Sequence, residues 1–187
     1  MGVDMITRVC KYNEKDNLFH ELALYKLRNK EWEQYEYDEE GHATEIKDPY
    51  IRVSPFEGRN SEMFDGMKRG TKEDGYGDFP MHYLRFGSLE PSFAADIQGD
   101  IKKGCYDVNE INLAEFRDYC EKHPTVVDYD KENEEGECPY RKKNPLVSLY
   151  EKVCVYCSLV DDIDFDIDPI SDYKVIFYFC WGKICYI

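Results

Sequence analysis

The sequence predicts an α+β fold: an antiparallel sheet with three to four helices packed on it, in a single compact domain over residues 1–187. Three observations carry that prediction. Segments rich in aromatic and β-branched residues stand near both ends, around Val3, Met5 and Val9 and from Val175 to Trp181, and such residues suit a pleated, half-buried surface. Later stretches instead place apolar residues three and four apart, the spacing of a helix face. Finally, 187 residues with 42% hydrophobic and 15% aromatic content are enough to bury one core without disulfide or metal staples.

In chain order, residues 2–12 read as a strand and Asn13 to Asn17 as a polar turn. Residues 18–28 and 31–37 read as strands, Glu40-Gly41-His42 as a hairpin turn, and 43–53 as a returning strand that ends before Pro55, giving an antiparallel meander. A short helix follows over 62–67 after Gly58-Arg59-Asn60-Ser61, with Met63, Phe64 and Met67 on one side. Residues 68–80 read as a Gly-, Asp- and Lys-rich loop. A helix over 91–103 starts at Pro91 and turns Phe93, Ala94 and Ile97 inward. Asn112-Leu113-Ala114-Glu115 has the pattern of a capped helix start. That helix runs to about Lys122, stopping before Pro124, and buries Leu113, Phe116 and Cys120. Residues 125–129 read as a short strand and 130–144 as an acidic loop. The longest helix covers 146–160, with Leu146, Leu149, Tyr150, Val153, Cys157 and Val160 on its apolar side. A strand over 162–168 and a hairpin turning at Gly182-Lys183 end the reading.

The net charge of −15 is concentrated. Segments 31–48, 128–137 and 161–172 together hold 20 acids and two bases, and the other 147 residues carry a net charge of +3. A field this negative repels nucleic-acid backbones and attracts basic surfaces, including those that hold nucleic acid. Direct DNA or RNA binding through the acidic face is therefore disfavoured, and a basic nucleic-acid-binding protein is the expected partner. The residues expected to contact it are Asp128, Asp130, Glu132, Glu134, Glu135 and Glu137, with Asp162, Asp164, Asp166 and Asp168. On a strand the last four point to one face at about 6.5–7 Å intervals, close to the spacing of phosphates along a nucleic-acid strand. The competing reading of all three segments is a solubilising surface.

No segment reaches the roughly 18 apolar residues of a membrane helix, and Met1 to Met5 lacks the basic and apolar regions of a secretory signal. A cytoplasmic protein with reduced cysteines is expected. No cofactor and no catalytic residue is predicted. Cys154, Cys157, Cys180 and Cys185 are a weak candidate for a four-thiolate zinc site, since the second pair lacks the two-residue spacing. The row at 162–168 fails as a calcium loop, because Ile167 replaces the required Gly and Tyr173 the bidentate Glu. Asp38, Glu45 and Lys47 allow an alternative reading as a small metal-dependent nuclease. Gly66 and Gly70 with Thr71-Lys72 miss the phosphate-loop spacing.

The start Met1-Gly2-Val3-Asp4-Met5, the run Gly58-Arg59-Asn60-Ser61-Glu62-Met63-Phe64-Asp65-Gly66-Met67 and the later Asn112-Leu113-Ala114 resemble a group of small proteins encoded by phages and prophages of gut bacteria. The resemblance covers about residues 1–130, and its motifs look structural. It implies a viral protein working in the host cytoplasm and favours evasion of host defence. In size and acidity the chain resembles the anti-CRISPR proteins that block the type II RNA-guided nuclease. That implies an inhibitor bound to the nuclease with its guide RNA, its acidic segments mimicking phosphates; a soluble structural or assembly protein is a further alternative.

Overall fold

The computed structural model describes residues 3–29, 35–37, 40–84, 92–102, 107–137, 140–161, 163 and 169–181. Its strands are β1 (Val3–Asn13), β2 (Leu18–Glu21), β3 (Leu24–Leu27), β4 (Tyr35–Tyr37), β5 (Ala43–Glu45), β6 (Tyr50–Val53), β7 (Glu57–Arg59), β8 (His82–Tyr83), β9 (Asp107–Asn112), β10 (Thr125–Val127), β11 (Arg141–Lys143) and β12 (Tyr173–Trp181). Its helices are α1 (Ser61–Arg69), α2 (Ala95–Lys102), α3 (Leu113–Lys122) and α4 (Pro145–Asp161). The predicted α+β class holds: a six-stranded antiparallel sheet carries the helices. By contacts the chain divides into two compact units, residues 1–22 with 55–187, and residues 23–54.

In the larger unit the sheet order is β2-β1-β12-β9-β8. The long first strand organises it. One edge of β1 pairs with β12 from Val3 to Lys11, while its other edge takes β7 at Asp4–Ile6 and β2 at Cys10–Asn13. Alternation along β1 and β12 sends side chains to both faces. On one face Ile6, Cys10, Val108, Ile176 and Tyr178 pack with Phe93 and Ile97 at α2. On the other, Phe177 meets Phe116 of α3 and Phe79, and Phe179 meets Phe64 of α1. The longest helix, α4, packs on α1 and α3.

Glycines let α1 approach its following loop. The Tyr76 ring lies where a Cβ at Gly66 would stand, and its own Cβ is against Gly70. The two glycines thus serve packing, and burial pushes the Tyr76 hydroxyl up to about 12. The first strand and the Gly58-Arg59-Asn60 run also meet. Buried Asp4 accepts paired hydrogen bonds from Arg59 at 3.0 and 3.1 Å, and Asn60 caps α1 by accepting from the Met63 amide.

Residues 23–54 form a nested ribbon: β3 pairs with β6, and β4 with β5 inside it. This corrects the expected meander. The predicted strand over 43–53 is broken between Glu45 and Tyr50, where the Pro49 carbonyl accepts from the Arg28 amide and Arg28 Nε reaches the Asp48 carbonyl. Gly41, at φ +86°, lies in the turn that links β4 and β5.

The helix expected over 91–103 begins later, at Ala95. Ser92 to Ala94 stay outside it, because Phe19 donates to the Ser92 carbonyl and accepts from the Ala94 amide, pinning Phe93 beside β2. Pro91 lies outside the described residues. Four strands are unforeseen: β7, β8, β9 and β11. In β9, Val108 and Ile111 stand three apart and face opposite sides, so no alternation shows. In β11, Arg141-Lys142-Lys143 carries no apolar signal at all.

Candidate functional site

The acidic segment 128–137 spans the connection between β10 and β11, a two-stranded ribbon in register from Thr125↔Lys143 to Val127↔Arg141. The pairing runs one step further, with the Asp128 amide donating to the Tyr140 carbonyl at 2.8 Å. The ribbon is tied down at its base. The Val127 amide bonds the Asp74 carbonyl at 2.7 Å, and Lys142 Nζ sits 2.6 Å from Glu62 on α1.

Asn133 shapes the tip. Its side-chain oxygen accepts from the Glu135 and Glu137 amides at 3.0 and 2.9 Å. Its backbone amide donates to the Glu137 carbonyl and its carbonyl accepts from Gly136. Gly136 adopts φ +77°, which glycine reaches without strain. This local closure pairs the backbone amides of Asn133, Glu135, Gly136 and Glu137, while Glu132, Glu134, Glu135 and Glu137 are exposed.

The six acids differ in role. Asp128 is buried, lying 3.6 Å from Lys131 and 3.7 Å from Lys142. Asp130 is exposed but lies 3.5 Å from Lys142. Lys142 is thus a cationic hub, its pKa raised by the bond to Glu62 first and by Asp130 and Asp128 after burial's opposing effect. No ion pair to the four glutamates is present among the described residues. Two exposed tyrosines, Tyr129 and Tyr140, stand at the neck. Neither these tyrosines nor Asn133 stands out in the charge pattern of the sequence, although Asn-x-x-Gly is a turn signal.

Asp162, Asp164, Asp166 and Asp168 lie outside the described residues. Their neighbour Asp161 holds a structural contact: Lys11 and the Tyr173 hydroxyl both bond its Oδ2. Burial pushes the Asp161 carboxyl up, but those two bonds outweigh it and hold its pKa below the ordinary value.

Among the described residues no group of three or more His, Cys, Asp or Glu is placed to hold a metal. Cys157 is buried and Cys154 partly so, and burial raises both thiols, Cys157 to about 12. Cys185 lies outside the described residues, while Cys180 stands opposite Asp4 in the sheet. Of the alternative nuclease set, Glu45 and Lys47 are exposed, and Asp38 lies outside the described residues. Among the described residues no helix is long and apolar enough to cross a membrane. No family model, curated protein or solved structure matches the chain at a significant level.

Proposed function

We propose that the protein is an acidic inhibitor that docks on the phosphate-binding surface of a basic, nucleic-acid-handling host enzyme. The type II CRISPR effector nuclease with its guide RNA is the partner to test first, following the phage-protein resemblance. The observation that supports this reading is the Asn133-centred tip. It fixes the backbone while Glu132, Glu134, Glu135 and Glu137 point into solvent without an internal cation among the described residues. A merely solubilising loop has no need of such a fixed tip. Tyr129 and Tyr140 beside it supply aromatic contact area of the kind enriched in binding hot spots.

The test measures binding to, and inhibition of, the guide-loaded nuclease across a salt series. Affinity is expected to fall steeply with salt, because exposed charges are screened within about 8 Å at physiological ionic strength. Replacing Glu132, Glu134, Glu135 and Glu137 with Gln should flatten that dependence and slow association more than it speeds dissociation. Replacing Asp162, Asp164, Asp166 and Asp168 with Asn tests the row in the same way. Unchanged inhibition in both variants would leave the acids as a solubilising surface. Cleavage of DNA by the protein itself with Mg²⁺, abolished by Glu45→Gln, would establish the nuclease reading in its place.

A further inference from the structure

Strand β11 places three bases in a row, Arg141, Lys142 and Lys143, and each is tied to a different neighbour. Arg141 bonds the Thr125 hydroxyl and carbonyl on β10. Lys143 pairs with Glu151 on α4 at 2.6 Å, and both side chains are more than half exposed. Lys142 differs in its burial and in the number of acids it meets. Its side chain is 28% exposed, and its Nζ lies 2.6 Å from Glu62 on α1, 3.5 Å from Asp130 and 3.7 Å from Asp128. Asp128 is the pivot where the acidic segment leaves the ribbon. Its buried carboxylate also accepts from the Asp130 amide at 3.4 Å and lies 3.6 Å from Lys131. Lys131 belongs to the segment itself, so it does not tie the segment to another element. Among the described residues Lys142 is the cation that joins acids of 128–137 to α1.

Removing that charge leaves the carboxylates of Glu62, Asp128 and Asp130 gathered around a point that has lost its cation. Like charges so placed repel, and a buried carboxylate short of a partner is costly. The neck is then expected to open away from α1. A loosened segment must be ordered again when it binds, which lowers affinity. The long-range field works the other way, because a chain that loses a lysine is more negative and attracts a basic partner more strongly. The two effects have opposite signs. We infer that Lys142 is the positioning residue of the acidic tip, and that a basic partner binds less tightly without it although the protein is then more acidic. This inference rests on the proposed reading of the tip as the contact with that partner.

The probe is the guide-loaded type II nuclease, with association and dissociation rates measured for wild type, Lys142→Met and Lys143→Met. The two variants change the net charge equally, and only the first removes the cation at the neck. Lys142→Met is expected to lose roughly tenfold in affinity, about the cost of ordering one further residue, through faster dissociation. Lys143→Met should bind as tightly as wild type or slightly more so. General destabilisation would reduce the binding-competent fraction and leave the dissociation rate alone. In the free protein, the Asp128 and Lys131 amides bond the Tyr140 and Asp128 carbonyls; their hydrogen exchange should quicken in Lys142→Met and not in Lys143→Met. Should Lys142→Met not fold, Glu62→Gln against Glu151→Gln makes the same comparison from the far end of each ion pair, and only Glu62→Gln is expected to weaken binding. Lys142→Met binding as tightly as Lys143→Met, or unchanged exchange at the neck, overturns the inference and leaves the reading of the acidic tip standing. Absence of wild-type binding overturns both.

Discussion

Arg8 on β1 and Glu21 on β2 form an ion pair within this sheet. Both are buried in side chain, at 7% and 3% exposure, with Arg8 Nε 3.5 Å from the Glu21 carboxylate. Two charges taken from water cost several kcal/mol each in hydration, which their attraction offsets only while both are present. Glu21→Ala removes a countercharge 3.5 Å from a buried guanidinium and should cost about 3 kcal/mol. Replacing both residues with apolar ones of similar volume should restore much of that loss. Urea unfolding of the single and double variants checks this, and equal destabilisation in both would show that packing, not charge, matters there. Asp4 and Arg59 differ, since Arg59 stays largely in water. Their paired bonds lock β7 onto β1 and so set where α1 begins.

At the scale of elements, the junction between α3 and α4 hangs on one side chain. Asn144 is fully buried; its oxygen accepts from the Leu146 amide at 2.9 Å, and its amide donates to the His123 carbonyl at 2.8 Å. It thus caps the start of α4 and satisfies a carbonyl just beyond the end of α3. Asn144→Ala loses the cap and leaves that carbonyl unsatisfied, a combined cost of about 2–3 kcal/mol. Asn144→Asp keeps the acceptor but buries a carboxylate against the His123 carbonyl, and should destabilise at least as much as alanine. Thermal melts of the three proteins give the order, and an alanine variant as stable as wild type would refute it. The same accounting explains the β10–β11 ribbon, whose tip is closed by Asn133 and whose base is held by Lys142 and Glu62.

At the scale of the whole molecule, pH acts through ties between distant parts of the chain. Lys11 on β1 bonds Asp161 at the end of α4, which raises the lysine above its ordinary 10.5, and the Tyr173 hydroxyl joins them. Asp161 is held below its ordinary 3.8. A depressed carboxylate contributes stability that is present above its unfolded value and lost as pH falls through the folded one. A raised lysine contributes below its unfolded value and loses that contribution as pH rises through the folded one. The tie therefore holds across the neutral range and fails at both ends. Asp161→Asn should weaken the fold at neutral pH and flatten its loss of stability on acidification below about pH 4. Urea midpoints taken from acid to neutral pH test this; parallel curves for the two proteins would exclude it.

What the sequence determined by itself were the features written in neighbouring residues. The first strand, the cap at Asn112, the buried face of α3, much of that of α4 and the late strand β12 all show in local periodicity or capping chemistry. The uneven distribution of charge is likewise a property of composition. Tertiary structure decided what depends on distant partners. Phe19 pulls Ser92 to Ala94 out of the helical pattern, and β9 is a strand because β12 lies beside it, not because its residues alternate. The candidate site divides in the same way. Its acids were legible in the chain, but the burial of Asp128 and the exposure of four glutamates follow from Lys142 and from the bonds around Asn133. Charge is fixed by residue identity, whereas whether a charge faces water or a countercharge is fixed by which segments fold together.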